Sequence, residues 1–87
     1  MVKMYKLYDG HGDLDLTTND LLTFVTSAKM VFIKYVDYCM DNNEDDFGGL
    51  VYWSQVLSKA LEIENIDQVK KFSIEFGFTV EIETIYK

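Results

Sequence analysis

The sequence predicts an α+β fold, a small sheet formed with the N- and C-terminal strands and packed against two or three helices. Both ends of the chain alternate side-chain type with the period of two that a strand requires. The stretch between them places apolar residues at the three- and four-residue steps of a helix face. No internal repeat or linker divides the chain, so the terminal strands are expected to lie together.

Each element has its own signal. Over residues 2–8, Val2, Met4 and Lys6 alternate with Lys3, Tyr5 and Leu7, with enough β-branched and aromatic character for a strand. Asp9-Gly10-His11-Gly12 ends it in a sharp turn, with both glycines free to take positive φ. Thr17, Thr18 and Asn19 are expected as helix caps ahead of Asp20, whose charge suits the positive end of the helix dipole. Thr18, Leu21, Val25, Ala28, Phe32, Tyr35 and Cys39 then form an unbroken helical stripe. Residues 29–40 are β-branched and aromatic enough to form a strand instead; the stripe and the lack of Gly or Pro favour one long helix. Residues 41–49, a polar run ending in two glycines, form a break before a second helix with Leu50, Trp53, Val56, Leu57, Ala60 and Leu61 on one side. Asn65 and Gln68 open a third helix as a reciprocal cap, with Ile66, Val69, Phe72 or Ser73, and Phe76 inward, and Gly77 closes it. Residues 78–86 set Phe78, Val80 and Ile82 against Thr79, Glu81 and Glu83, a final strand.

Composition narrows the function. At 87 residues, 48% hydrophobic and 15% aromatic, residues 1–87 are expected to form a single globular domain. The single Cys39 forms no intramolecular disulfide and no secretory leader pattern opens the chain, which predicts a cytoplasmic protein. No apolar run approaches the roughly 20 residues a membrane-spanning helix needs. Fifteen acidic residues oppose eight lysines, with no arginine, for a net charge of −7. A basic footprint for phosphates is missing, so direct nucleic-acid binding is not expected. Such a surface is drawn instead to a basic protein.

Few residues promise chemistry. In an extended segment His11, Asp13 and Asp15 would share one face, and with Cys39 they would supply four ligands suited to zinc. Asp41, Asn43 and Asp45 reproduce the first oxygen ligands of a calcium loop, yet Asp46 stands where that loop needs Gly and Tyr52 where it needs Glu. No phosphate-binding loop, dinucleotide fingerprint or hydrolase elbow is present, and no enzyme is predicted.

Carboxylates form two clusters. The first is Asp9, Asp13, Asp15 and Asp20; the second is Asp37, Asp41, Glu44, Asp45 and Asp46, beside Tyr38, Phe47, Tyr52 and Trp53. Carboxylates spaced like phosphates among aromatics suit a decoy for a nucleic-acid groove, although a solvated loop would have the same composition. In size, charge and composition, including an abundance of Lys, Asn, Ile, Tyr and Phe, the chain resembles small phage-encoded anti-CRISPR proteins that block type II CRISPR effector nucleases. The resemblance implies an inhibitor that occupies a basic channel of an RNA-guided nuclease and prevents DNA loading or activation. Asp37, Asp41, Glu44, Asp45 and Asp46 would make the contacts, with Trp53 as anchor. The alternative is a structural or regulatory interaction protein, with or without a stabilising metal, that inhibits nothing.

Overall fold

Alternation at the two ends of the chain becomes one antiparallel sheet. The computed structural model describes residues 2–42 and 47–85. In chain order it comprises β1 (Val2–Tyr8), β2 (Leu14–Thr18), α1 (Leu21–Asp41), α2 (Phe47–Leu61), α3 (Ile66–Phe76) and β3 (Thr79–Ile85). The strands lie in the order β2-β1-β3, so the two terminal strands are neighbours and the fold is α+β. β1 and β3 pair without interruption from Val2 opposite Ile85 to Tyr8 opposite Thr79. Opposed residues share a face, so Tyr5 and Leu7 stand with Ile82 and Val80, while Met4 and Lys6 stand with Glu83 and Glu81. Leu7 is buried and the Tyr5 ring lies 5.5 Å from Phe24 of α1, so the first set faces the helices. On the second set's face, Lys6 Nζ lies 2.8 Å from a Glu83 carboxylate oxygen.

Strand β2 was not among the expected elements. Residues 14–18 alternate only two leucines with polar residues, too weak a pattern to mark a strand unaided; pairing with β1, from Tyr5 opposite Thr18 to Leu7 opposite Leu16, holds them extended. The cap of α1 is correspondingly Asp20, not Thr17, Thr18 or Asn19. Asp20 Oδ2 accepts from the Thr23 N–H at 2.8 Å and from the Thr23 hydroxyl at 2.6 Å, while Thr18 Oγ1 accepts from Asp20 N–H at 3.2 Å.

α1 is one helix of 21 residues, so residues 29–40 are helical. At 1.5 Å per residue it runs about 30 Å, past the sheet at one end and past α2 at the other. Phe24, Val25, Ala28, Phe32 and Val36 are its buried residues; Leu21, expected inward, is exposed. α2 begins at Phe47, so the expected break is shorter and both its glycines are helical. Val56 and Ala60 are buried and Trp53 and Leu57 half-buried, whereas Leu61, also expected inward, is exposed. α3 opens with the expected reciprocal cap: Asn65 Oδ1 accepts from Gln68 N–H at 3.0 Å, and Gln68 Oε1 from Asn65 N–H at 3.2 Å. It closes at Gly77, whose φ of +83° lies in the left-handed region.

Aromatic rings join these elements. Phe32 of α1 stacks on Phe72 of α3 with centroids 4.4 Å apart and meets the edge of Phe78 at 5.0 Å. Phe72 continues to Phe76 at 4.6 Å, and Tyr35 reaches Phe78 at 5.3 Å. The domain is nonetheless long, with extents of 54 × 25 × 16 Å and a radius of gyration of 14.1 Å. A compact chain of this length has a radius of about 12 Å, so some large apolar side chains stay outside the core, Ile74 (83% exposed) and Leu22 (74%) foremost. No helix among the described residues is long and apolar enough to cross a membrane.

Two substitutions test this packing. Phe32→Ala is expected to cost about 3–5 kcal/mol in urea unfolding, most of the stability of a domain this small. Gly77→Ala is expected to cost about 1 kcal/mol because its φ, and not crowding, forbids a side chain there.

Candidate functional site

The turn between β1 and β2 is built by Asp9. Its Oδ1 accepts from the backbone N–H of His11 at 2.8 Å and of Asp13 at 3.0 Å. Its own N–H donates to the Asp13 carbonyl at 2.9 Å, and Gly12 N–H donates to the Asp9 carbonyl at 3.0 Å. Gly12 takes a φ of +83°; Gly10, expected to share that role, has no positive φ, so the turn rests on Asp9 and Gly12.

This turn lies against the C-terminal half of α1. Between them opens a cleft of about 580 Å³. Asp9, His11 and Asp15 line it from the hairpin, Lys34, Tyr35 and Tyr38 from α1, and Phe76 and Phe78 from the end of α3 and the approach to β3. On α1, Val31, Lys34 and Tyr38 fall one turn apart on a single stripe, and Asp41 lies on its continuation. Asp9 and Asp15 of the first acidic cluster share this cleft with Tyr38, 66% exposed, and Asp37 and Asp41 of the second are exposed on the same last turns of α1.

Charge in the cleft is unbalanced. Hydrogen bonds from Asp13 and His11 hold the Asp9 carboxyl below its ordinary 3.8, so it stays ionised. Partial burial first, then the neighbouring Asp9 and Asp13 charges, push the Asp15 carboxyl above 3.8. Among the described residues the ion pairs within 4.0 Å are Lys6 with Glu83 and Lys59 with Glu75, so Asp9, Asp13 and Asp15 have no bound cation and Lys34 answers none of them directly. Burial raises the Tyr35 hydroxyl, as does the neighbouring Cys39 thiol one turn on. At the end of α1, Asp37 and Asp41 are exposed, and the last turn carries no basic residue. They face the negative end of the helix dipole, a position that costs the helix stability and deepens the local negative potential. The last turn is closed by Asn42, whose backbone and side-chain N–H groups both donate to the Tyr38 carbonyl, at 3.0 and 2.8 Å.

Several sequence expectations take a different form here. Residues 11–15 are not one extended segment: His11 and Gly12 belong to the turn and β2 begins only at Leu14. His11 and Asp15 line the cleft without Asp13 or Cys39. Among the described residues no three His, Cys, Asp or Glu side chains gather to hold a metal ion. Glu44, Asp45 and Asp46, with Asn43, lie outside the described residues. Trp53 is half-buried, with Tyr35 at 6.1 Å and Phe76 at 6.2 Å, so it belongs to the aromatic packing, and Tyr38 and Tyr52 are the exposed rings beside the acid. Lys34 and Phe76 were not expected at the site. The spacing of Val31, Lys34 and Tyr38 is the one sequence signal that would have placed Lys34 there.

Compared with protein-family models, with curated proteins and with solved structures, the chain gives no match.

The two hairpin carboxyls should respond oppositely to acid. Asp15 binds its proton more readily folded than unfolded, so Asp15→Asn is expected to raise the melting temperature at pH 7, a gain that vanishes as the pH falls below 3.8. Asp9 holds its proton less readily when folded. Its contribution is present above 3.8 and lost below it, so Asp9→Ala is expected to lower the melting temperature at pH 7 and to matter little near pH 2. Thermal scans of both variants across this range check the signs.

Proposed function

We propose that the protein is a small acidic inhibitor that binds a basic nucleic-acid-handling protein, an RNA-guided CRISPR effector nuclease, and blocks DNA loading or activation. The observation that supports this reading is the cleft that Asp9 and Asp15 share with the exposed Tyr38, on the same end of α1 as Asp37 and Asp41. A groove that holds a phosphate backbone is lined by Arg and Lys. Carboxylates at the rim offer those side chains charge-assisted hydrogen bonds, with bidentate geometry available to Arg. Tyr38, exposed beside the same cleft as Asp15, offers the guanidinium plane a stacking surface. Each contact made with the inhibitor is one the nuclease can no longer make with DNA.

The reading is tested by DNA cleavage with purified type II effectors. Inhibition is expected, with an affinity that falls by roughly tenfold or more between low and high salt as the charges are screened. Replacing Asp37, Asp41, Glu44, Asp45 and Asp46 by Asn or Gln, with Tyr38→Ala, is expected to abolish inhibition while circular dichroism stays unchanged. Full inhibition by that folded variant, or none by the natural chain against a panel of effectors, would rule the proposal out.

A further inference from the structure

β3 is an edge strand. It pairs with β1 along its full length and meets no described strand on its other side. A free edge of seven residues presents unpaired N–H and C=O groups, a template on which another strand can be added.

Two neighbouring features specify what kind of strand. On the face toward the helices, Val80 lines a groove of about 370 Å³ between β3 and α3, with Lys70 on its α3 side, and Ile82, 40% exposed, follows Val80 on the same face of the strand. Ile74, 83% exposed, forms its wall, and Ser73 lies in its lining, buried, with its Oγ hydrogen-bonded to no described partner. On the opposite face Glu81 and Glu83 stand two residues apart, and Lys6 pairs with Glu83 alone. The edge thus offers apolar surface on one side and carboxylates on the other.

That pattern argues against a second copy of the chain. If β3 paired antiparallel with itself about a two-fold axis at Ile82, using the whole strand, Glu81 would face the copy's Glu83 in both places. Centring the axis on either glutamate would set it opposite itself. Like charges directly opposed destabilise a strand pair, and each copy also brings a net charge of −7.

We infer that the β3 edge accepts an extended segment of a partner protein in which basic and apolar residues alternate. Its Lys or Arg side chains lie over Glu81 and Glu83, and the apolar residues between them cover Ile82, Val80 and Ile74. The backbone supplies the hydrogen bonds, and the alternation fixes which face is up. This inference does not rest on the inhibitor reading, since its residues are distinct from the acidic run.

The test is titration of the intact protein, followed by ¹⁵N–¹H NMR, with a synthetic peptide of alternating Lys and Val matched to the seven residues of β3. Shifts confined to residues 79–85 and their neighbours on α3 are expected, together with slowed exchange of β3 amides. Methylating the peptide's alternate backbone nitrogens, or grouping its lysines in one block, is expected to weaken binding by roughly tenfold or more. The double variant E81Q and E83Q, both positions exposed, is expected to weaken binding with unchanged circular dichroism, whereas neutralising Asp37 and Asp41 leaves it intact. No binding, equal binding of the blocked peptide, shifts centred on Asp37 and Asp41, unchanged affinity of the E81Q and E83Q variant, or a dimer formed through β3 would overturn the inference.

Discussion

The stacking of Phe32 on Phe72 is the contact on which the rest of the structure depends. It joins the middle of α1 to α3, and with Phe78 at its edge it also fixes where the chain turns back into the sheet. Aromatic pairs at these separations add to the burial of two large rings. Phe32 and Phe72 are 0% and 4% exposed, so the full value of that burial is realised. Because α1 is unbroken, anchoring its centre positions both ends. One end covers Leu7 and Tyr5 of the sheet, and the other carries Tyr35 and Tyr38 to the cleft at the hairpin turn. A break in the helix near residue 29 would leave the sheet and the acidic end of α1 without a common frame.

Stability and surface charge are divided between different parts of the molecule. Apolar and aromatic packing supplies the core, while the two described ion pairs lie at the surface, Lys6 partly and the other three side chains well exposed, where such pairs contribute little. Elsewhere charge works against the fold. Partial burial and the Asp9 and Asp13 charges disfavour ionised Asp15, and Asp37 and Asp41 crowd the negative end of a helix. An isolated solubilising surface needs no such concentration. Carboxylates spread over the same area, or exchanged for lysines at the end of α1, would serve solubility with less repulsion.

Local rules made most elements legible in the sequence. The reciprocal cap of Asn65 and Gln68, the left-handed Gly77 and the alternation of β3 each act within a few residues, and all three stand where they were expected. The stripe from Val25 to Phe32 likewise identified the inner face of α1, although Phe24 and Val36 deepen it and Leu21 leaves it. What was not legible depends on partners far along the chain. β2 is a strand because β1 is beside it, and Thr18 therefore pairs with Tyr5 and does not begin the helix. The candidate site divides in the same way. Composition marked the acidic clusters, but the cleft that Asp9 and Asp15 share with Tyr38 follows from how the hairpin folds onto α1, and the half-burial of Trp53 follows from its packing beside Tyr35 and Phe76.

The two margins of the sheet are unlike. β2 is short, its ladder with β1 slips between Leu7 and Tyr8, and α1 packs against it, whereas β3 is regular and paired along its whole length. Irregularity and cover are what discourage further pairing. Growth of the sheet is therefore disfavoured at the β2 margin and open at the β3 margin, which gives the two sides unequal capacity for strand addition.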